Sequence, residues 1–419
     1  MQIERIKKQL VDFFCSEMQP ILSKRQCKSG AWQRTRPQIL SIIITDGRRL
    51  FEDFCVSLPH NFYNYFMDEI FYDVVDLLKA LISTPSVSRE EQAAADIIEN
   101  FLKARGCTTQ RCGNNVWTIA PGYSHERPTL LLNSHIDTVR PVDGWTRNPF
   151  SPDDDGERIY GLGSNDAGAS VVSLTAAFLL LSQQRQQRYN LVFLASCEEE
   201  VSGKGGIEAV LPLLPKIDVA LVGEPTGMHP AVAEKGLMVL DGEIAGKSGH
   251  AARDEGENAI YKALPMIERL RSLSFPLTSA HLGPVKISVT QISAGTQHNV
   301  VPDMCRIVVD VRTTDAYTNE QTLEMIRQAV PFCKLTPRSV RLRPSGISEQ
   351  HPIVRRLVIA GRKPFGSPTL SDQALMPFPS LKIGPGESAR SHTADEYITY
   401  DEIREAIQIY FTTLDGLAL

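Results

Sequence analysis

The sequence has 419 residues and a formal net charge of −5, with 42% hydrophobic and 22% charged residues. This composition is typical of a globular protein of about two or three domains, and the acidic balance gives no support for binding nucleic acid or an anionic membrane. The eight cysteines are scattered without a CxxC pair, and no apolar run reaches the roughly 18 residues that span a bilayer. We therefore expect a cytoplasmic protein.

The first 66 residues differ in character from the rest. They carry ten Lys and Arg against six Asp and Glu, and their hydrophobic periodicity is poor. From Met67 to Ile82, apolar residues recur at helical spacing. We interpret residues 1–66 as an N-terminal extension that is not part of the core, with a genuine accessory segment as the alternative. Farther along, Ser88 is predicted to cap a helix that runs through Asp96 to Lys103.

Residues 67–235 alternate between two patterns. The predicted helices are Glu91–Arg105, Gly168–Gln184 and Gly206–Leu214. The predicted strands are Asn115–Ala120, Thr129–Asn133, Asn190–Ser196 and Val219–Val222. Strands that alternate with helices indicate an α/β domain with a mostly parallel sheet.

Residues 236–346 follow another order of elements. They read as strand Leu237–Ala245, helix Asn258–Leu270, strand Val285–Ile292, strand Cys305–Arg312, helix Asn319–Ala329 and strand Ser339–Leu342. This order is the βαββαβ arrangement of ferredoxin-like folds. The α/β pattern resumes in residues 347–419 with a helix at Pro352–Ala360. We therefore predict that the second domain is inserted into the first.

The first candidate site motif comes directly after the predicted strand Thr129–Asn133. His135 and Asp137 follow that strand two residues apart, a spacing that places both side chains on one side of an extended chain. A carboxylate beside an imidazole can fix the tautomer of a metal-bound ring. The alternative is a surface histidine paired with an aspartate.

Three further segments supply acidic residues. Asp166 stands between a glycine-rich turn and a long helix, where it could bind an ion or cap the helix. Three consecutive carboxylates, Glu198–Glu200, follow a buried strand. Like charges this close repel each other, and a divalent cation would offset the repulsion while a neighbouring Glu acts as a general base. Glu224 ends another strand. A solvated acidic turn is the alternative for the glutamate run.

His392 lies in a late glycine-rich loop, within Ile383–Tyr397. Most of these acidic and histidine positions follow strands, and sites in open α/β sheets form at the carboxyl ends of strands. Two histidines and three carboxylates suffice for two metal ions that share one bridging Asp. Such a pair can polarise a carbonyl and generate hydroxide.

These motifs, in this order, resemble those of the acetylornithine deacetylase and succinyl-diaminopimelate desuccinylase group of di-zinc peptidases and aminoacylases. The resemblance runs from about Met67 to the C-terminus. It implies two Zn²⁺ ions, with Co²⁺ as the alternative, and a homodimer that forms through the inserted lid domain. The implied metal ligands are His135, Asp166 as the bridge, Glu200, Glu224 and His392.

The resemblance also implies catalytic roles. Asp137 orients His135, and Glu199 is the general base. His250 reaches the active site of the partner subunit and stabilises the developing oxyanion. Asn299 and Arg312 are implied to bind the substrate, Arg312 through the α-carboxylate.

The chain departs from the family where Asp166 is followed by Ala-Gly-Ala-Ser instead of Asp-Met-Lys-Gly. This difference indicates a distinct subgroup. The expected substrate is N-acetylornithine or an N-acetyl- or N-succinylcitrulline of arginine biosynthesis. Succinyl-diaminopimelate desuccinylation and a dipeptidase or carboxypeptidase activity are the alternatives. A non-catalytic metal-binding dimer, or an enzyme with Cys197 as its nucleophile, fits the motifs less well.

Overall fold

A computed structural model describes residues 60–419 apart from 184–186 and 254, with side chains from Asp68 onward. Most of the proposed extension, residues 1–59, lies outside the described residues. The chain divides into two compact units, Met1–Ile70 and Phe71–Leu419. The sheets and the candidate site described below belong to the second unit.

The described residues form helices and strands in alternation through most of the chain. The helices are α1 (His60–Ile82), α2 (Gln92–Ala104), α3 (Ala169–Ser182), α4 (Ile207–Val210), α5 (Ala259–Ser272), α6 (Asn319–Ala329), α7 (Pro352–Ile359) and α8 (Tyr400–Leu414). The strands are β1 (Thr109–Cys112), β2 (Asn115–Ile119), β3 (Thr129–His135), β4 (Arg158–Tyr160), β5 (Asn190–Ser196), β6 (Val219–Val222), β7 (Ala231–Glu234), β8 (Gly236–Ala245), β9 (Lys286–Ala294), β10 (Met304–Thr313), β11 (Lys334–Pro337), β12 (Ser345–Gly346), β13 (Phe365–Ser367), β14 (Ser380–Lys382) and β15 (Tyr397–Thr399).

The larger sheet has nine strands in the order β1-β2-β5-β3-β6-β14-β7-β12, with β13 beside β7. Its central strands β5, β3, β6 and β14 run parallel. Every residue of β3 and β5 is buried, as expected for parallel strands that are covered on both faces. Helix α3 packs against β3 and β5, and α8 packs against α3. The predicted α/β class with a mostly parallel central sheet is confirmed.

The smaller sheet has four strands in the order β11-β8-β10-β9, all antiparallel. Residues of β8 and β10 alternate between buried and less buried, because one face of the sheet packs against α5 and α6. The apolar core between them includes Met238, Leu240, Met266 and Ile307. The order of these elements is the predicted βαββαβ arrangement.

Two details of the sequence-based prediction are wrong. Helix α2 has Glu91 at its N-cap without a side-chain cap, and Ser88 instead donates to Asp137 Oδ2 at 2.7 Å. Residues 339–342 are not a strand, and the fourth strand of the small sheet is β11. The side-chain amide of Asn319 binds the carbonyls of Val340 and Leu342 at 3.0 and 2.8 Å, so these carbonyls bind a side chain where a strand would bind a neighbouring backbone.

Helix α1 begins at His60, seven residues before Met67, so the predicted start of the core falls inside a helix.

One helix of the described residues has the length and apolar character of a membrane span. Among the described helices, only Ser164–Ser182, which consists of the helical turn Ser164–Gly168 and α3, is long and apolar enough to cross a membrane, and 83% of that window is buried inside the protein.

Candidate metal centre

The strand topology brings the candidate side chains to one edge of the large sheet. His135 is the last residue of β3, the glutamate run follows β5, and Glu224 follows β6 by two residues. Because β5, β3 and β6 are parallel, their carboxyl ends meet at this edge. Gly223 permits the close approach of β6 to α3, since a Cβ there would lie 2.8 Å from Ser170 Cβ.

The His135 ring is buried and has a defined orientation. Its Nδ1 lies 2.9 Å from the backbone carbonyl of Asp137 and 3.5 Å from the carboxylate of that residue, so the carbonyl is the nearer partner. A proton held on Nδ1 leaves Nε2 with its lone pair free. That Nε2 atom lies 3.4 Å from Asp166 Oδ1 and 3.7 Å from Glu224 Oε1.

A second group surrounds the ring of His392. Its Nε2 lies 3.0 Å from the Glu200 carboxylate and 3.7 Å from Asp166 Oδ2. The two oxygens of Asp166 therefore face different histidines, Oδ1 towards His135 and Oδ2 towards His392. The carboxylate of Asp166 joins the two groups.

The spacing of these atoms fits a pair of divalent cations. Ligand atoms about 2.0–2.1 Å from a tetrahedral zinc ion lie about 3.3 Å apart, and the separations here are 3.0–3.7 Å. Among the described residues, two sets have ligand atoms within 4.8 Å of one another. These sets are His135, Asp166 and Glu200, and His135, Glu199 and Glu224.

The carboxylates are crowded enough to alter their ionisation. Burial raises the pKa of Glu199 well above its ordinary value, and the charges of Glu224 and Glu200 raise it further. Burial, together with the charge of Asp166, raises the pKa of Glu224 to about 8. Such a cluster binds protons or cations to offset its negative charge. Imidazole and carboxylate ligands suit zinc and other divalent metals.

The carboxylate of Asp137 acts on the backbone of the neighbouring turn. It is buried and accepts hydrogen bonds from the N–H groups of Glu199 and Glu200 at 3.0 and 3.1 Å. Ser88 Oγ donates to the same carboxylate at 2.7 Å. The residue predicted to orient His135 therefore also orients the turn that carries Glu199.

Glu396 is a buried residue of the site that the sequence did not reveal. Its carboxylate accepts the N–H groups of Gly163, Asn165 and Asp166 at 3.1, 2.8 and 2.9 Å. These bonds fix the loop that carries Asp166. Glu396 lies four residues after His392, but its spacing does not distinguish it from a surface glutamate.

Three of the predicted site residues lie elsewhere. Arg312 is on β10, where its Nε and Nη2 donate to the Asp310 carboxylate at 3.0 and 3.2 Å. The exposed His250 forms an isolated bridge with Val300, and the carbonyl of Asn299 accepts the N–H of Ala251. Within the described part of the chain, no hydrogen bond or ion pair joins His250, Asn299 or Arg312 to the residues at the sheet edge.

Cys197 is unsuited to act as a nucleophile. The residue is 2% exposed, and its Sγ donates to the carbonyl of Gly205. Burial raises the pKa of the thiol to about 12. The reactive thiolate is therefore strongly disfavoured at neutral pH.

Comparison with known proteins agrees with this geometry. Residues 131–416, more than half of the chain, match the sequence profile of Peptidase family M20/M25/M40. The chain belongs to this family. The predicted family resemblance is confirmed, and so is the prediction of a metal-dependent hydrolase.

Two curated M20 relatives carry different activities in their names. A succinyl-diaminopimelate desuccinylase of Wolbachia pipientis is 28% identical over 60% of this chain, and the match spans 66% of that protein, just under two thirds. An acetylornithine deacetylase of Klebsiella pneumoniae is 27% identical over 77% of this chain and 92% of its own length. The two relatives are about equally similar, so their names do not select a substrate.

A solved structure supports the fold. The YXEP protein of Bacillus subtilis, described as a dinuclear metal binding peptidase from the M20 family, superimposes with a TM-score of 0.65 at 16% identity. The alignment covers 83% of this chain and 99% of that one.

A buried ion pair close to Glu224 is also not revealed by the sequence. Lys382 Nζ lies 2.8 Å from Glu234 Oε2 and donates to the carbonyl and hydroxyl of Thr369 at 3.2 and 3.0 Å. Glu234 in turn accepts the N–H and hydroxyl of Ser371 at 3.0 and 2.7 Å. The positive charge of Lys382 acts on Glu224 and opposes the rise of its pKa that burial causes. Lys382 thus places a buried cation beside the acidic cluster.

Proposed function

We propose that this M20 chain hydrolyses the amide bond of an N-acyl amino acid. The substrate class we favour is N-acetylornithine or N-acetyl- or N-succinylcitrulline, deacylated in the cytoplasm during arginine biosynthesis. The observation that carries the proposal is the placement of Asp166 between His135 and His392, with Glu199 beside them. Succinyl-diaminopimelate desuccinylation is the second candidate, because a relative of that name is equally similar.

We assign the site to two zinc ions. His135, Asp166 and Glu224 would hold one ion, and His392, Asp166 and Glu200 the other. When bound, such a pair supplies a Lewis acid for the amide carbonyl and lowers the pKa of water. Glu199 is not a metal ligand in this assignment, so its carboxylate is free for proton transfer.

Glu199 is the general base in this proposal. Its Oε2 lies 4.0 Å from His135 Nε2, and ligand atoms of Glu199 and Glu224 lie within 4.8 Å of each other. Burial raises the pKa of its carboxyl group, which strengthens the carboxylate as a base. Glu199 accepts a proton from the attacking water as the water oxygen bonds to the amide carbon. The same carboxyl group gives that proton to the amide nitrogen as the carbon–nitrogen bond breaks, so the products are a carboxylate and a free amine.

The substrate assignment predicts a defined order of activities. We expect N-acylornithine or N-acylcitrulline to have a kcat/KM at least about tenfold higher than N-succinyl-diaminopimelate, since pocket contacts distinguish side chains by such factors. A panel of acetylated and succinylated ornithine, citrulline and diaminopimelate, assayed for release of the free amine, tests the order. Removal of metal with a chelator should abolish the activity, and added Zn²⁺ should restore it.

The unmodified amino acids and a dipeptide serve as controls in this panel. A preference for N-succinyl-diaminopimelate would replace the favoured substrate by the second candidate. Cleavage of the dipeptide alone would indicate a peptidase. Full activity after metal removal would contradict the assignment of the site to metal ions.

We further propose that two copies of the chain associate through the small sheet. Strand β9 lies at the edge of that sheet, with its outer hydrogen-bonding groups available to a neighbour. Tyr261 and Leu264 of α5 and Ile292 of β9 are 71%, 57% and 55% exposed. His250 lies in the same part of the chain and makes no contact with the metal centre of its own subunit among the described residues. We therefore assign His250 to the oxyanion in the partner subunit.

Mixing two inactive variants tests this arrangement. Glu199→Ala and His250→Ala homodimers should each be inactive, whereas subunits exchanged between them should form heterodimers with one complete site. Random exchange makes about half of the dimers mixed, so we expect about a quarter of the unmodified activity. Activity is measured before and after exchange, with light scattering to establish that dimers form. A monomeric protein, or exchanged dimers without activity, would contradict the proposal.

A further inference from the structure

The three glutamates after β5 adopt an uncommon backbone conformation. Glu198 has φ +56°, in the left-handed region, and Glu199–Val201 forms a single turn of 3₁₀-helix. A left-handed residue followed by right-handed ones turns successive N–H groups into one concavity that attracts anions. A non-glycine residue remains in the left-handed region only where its surroundings hold it there.

Two carboxylates occupy this concavity. Asp137 accepts the N–H groups of Glu199 and Glu200, as described above. Glu91 Oε1 accepts the remaining N–H, that of Glu198, at 3.2 Å. Each backbone N–H of the three glutamates is therefore bound by an acidic side chain, although the glutamates themselves carry negative charge.

Glu91 is rigidly held and completely buried, with 0% exposure. Besides Glu198, its Oε1 accepts the N–H of Arg89 at 2.6 Å, and its Oε2 accepts Asn114 Nδ2 at 2.9 Å. All of these partners are donors, so the site requires a group that only accepts. Glutamine would keep one accepting oxygen for the two backbone N–H groups, but it would lose the negative charge, and its NH₂ would face the Asn114 NH₂ unless that amide turned over.

We propose that Glu91 is a positioning residue for the hydrolysis, acting through the N–H of Glu198. By holding this turn, Glu91 directs the carboxylates of Glu199 and Glu200 towards His135 and His392. The inference rests on the proposed function, since it takes Glu199 as the general base. Displacement of a catalytic group by about 1 Å can lower the rate by about a hundredfold.

The test compares Glu91→Gln with Glu90→Gln. Glu90 is the adjacent residue of the same type, but its side chain is 70% exposed and lies 3.7 Å from Arg140. For Glu91→Gln we expect kcat per folded, metal-loaded enzyme to fall about ten- to hundredfold, with KM changed less than about twofold. Glu90→Gln should match the unmodified enzyme. The measurements are kcat, KM, bound metal and the thermal midpoint.

A second variant covers the case in which Glu91→Gln does not fold. Asn114→Ala removes one donor to Glu91 at a half-buried position and leaves the carboxylate in place. We expect kcat to fall about threefold or more, again without a change in KM. Glu198→Gly combined with Glu91→Gln should recover part of the lost kcat, since glycine adopts positive φ without strain.

The outcomes separate this inference from the function on which it rests. If Glu91→Gln and Asn114→Ala lower only the thermal midpoint, and kcat of the folded enzyme stays normal, the positioning role is overturned. If Glu199→Ala is inactive in that case, the proposed function is retained without the positioning role of Glu91. An active Glu199→Ala enzyme would overturn the base assignment, and the positioning role with it.

Discussion

Replacing Glu199 with Ala should abolish turnover while the metal ions remain bound. The Glu199 side chain is 12% exposed and lies beside His135, and the two proposed metal sites are complete without it. General acid–base groups contribute about 10²–10⁴-fold to rates, so we expect kcat to fall by at least about a thousandfold. Steady-state kinetics on the preferred substrate and metal analysis of the same sample measure both properties.

The neighbouring glutamate provides a matched control for this variant. Glu198 belongs to the same run, but its side chain points away to accept the N–H of Gly205 at 3.3 Å. Glu198→Gln retains an oxygen for this bond and should keep nearly normal activity. Near-normal kcat in Glu199→Ala would refute the assignment of the base, and loss of metal from that variant would instead make Glu199 a ligand.

Replacing Asp166 with Ala should disrupt both metal sites at once. Its Oδ1 lies 3.4 Å from His135 Nε2, and its Oδ2 lies 3.7 Å from His392 Nε2. Among the described residues, no other carboxylate lies within 4.0 Å of both histidines. We expect bound metal to fall from two ions per chain to one or none. The loss of Lewis-acid assistance, worth several kcal/mol, should lower kcat by at least about a thousandfold.

Elemental analysis after dialysis measures the bound metal, and kinetics at saturating substrate measures kcat. Asp143→Ala is the control, because Asp143 is exposed and lies outside the cluster. Circular dichroism should show both variants folded, since Asp166 lies at the sheet edge beyond the apolar core. Retention of two ions by Asp166→Ala would contradict its bridging role.

Much of the site could be predicted from sequence because its side chains follow recognisable strands. His135 ends an uninterrupted apolar strand, Glu224 follows another, and Asp166 stands between glycines and a long apolar helix. Parallel strands place such residues at one edge whatever the rest of the fold contributes. Local sequence was a poorer guide at Ser88, whose hydroxyl bonds to a carboxylate 49 residues away instead of capping a helix.

The supporting residues depended on distant parts of the chain. Glu396 binds the N–H groups of a loop about 230 residues earlier, and Glu91 binds the N–H of Glu198, which is 107 residues later. Neither glutamate differs in its own neighbourhood from a glutamate on a surface. Their partners are backbone groups, which every residue carries, so no side-chain pattern marks them.

The amino-acid sequence alone was sufficient for the α/β class, the βαββαβ order of the second domain and the family of hydrolases. Hydrophobic periodicity and the acidic or histidine residues that follow strands are local properties of the sequence, so they can be recognised without knowledge of the packing. Only the tertiary structure showed that the two oxygens of Asp166 face different histidines. It also showed that Asp137 and Glu91 accept the backbone N–H groups of Glu198–Glu200. Buried donors must find acceptors in three dimensions, and folding determines which acceptors are within reach.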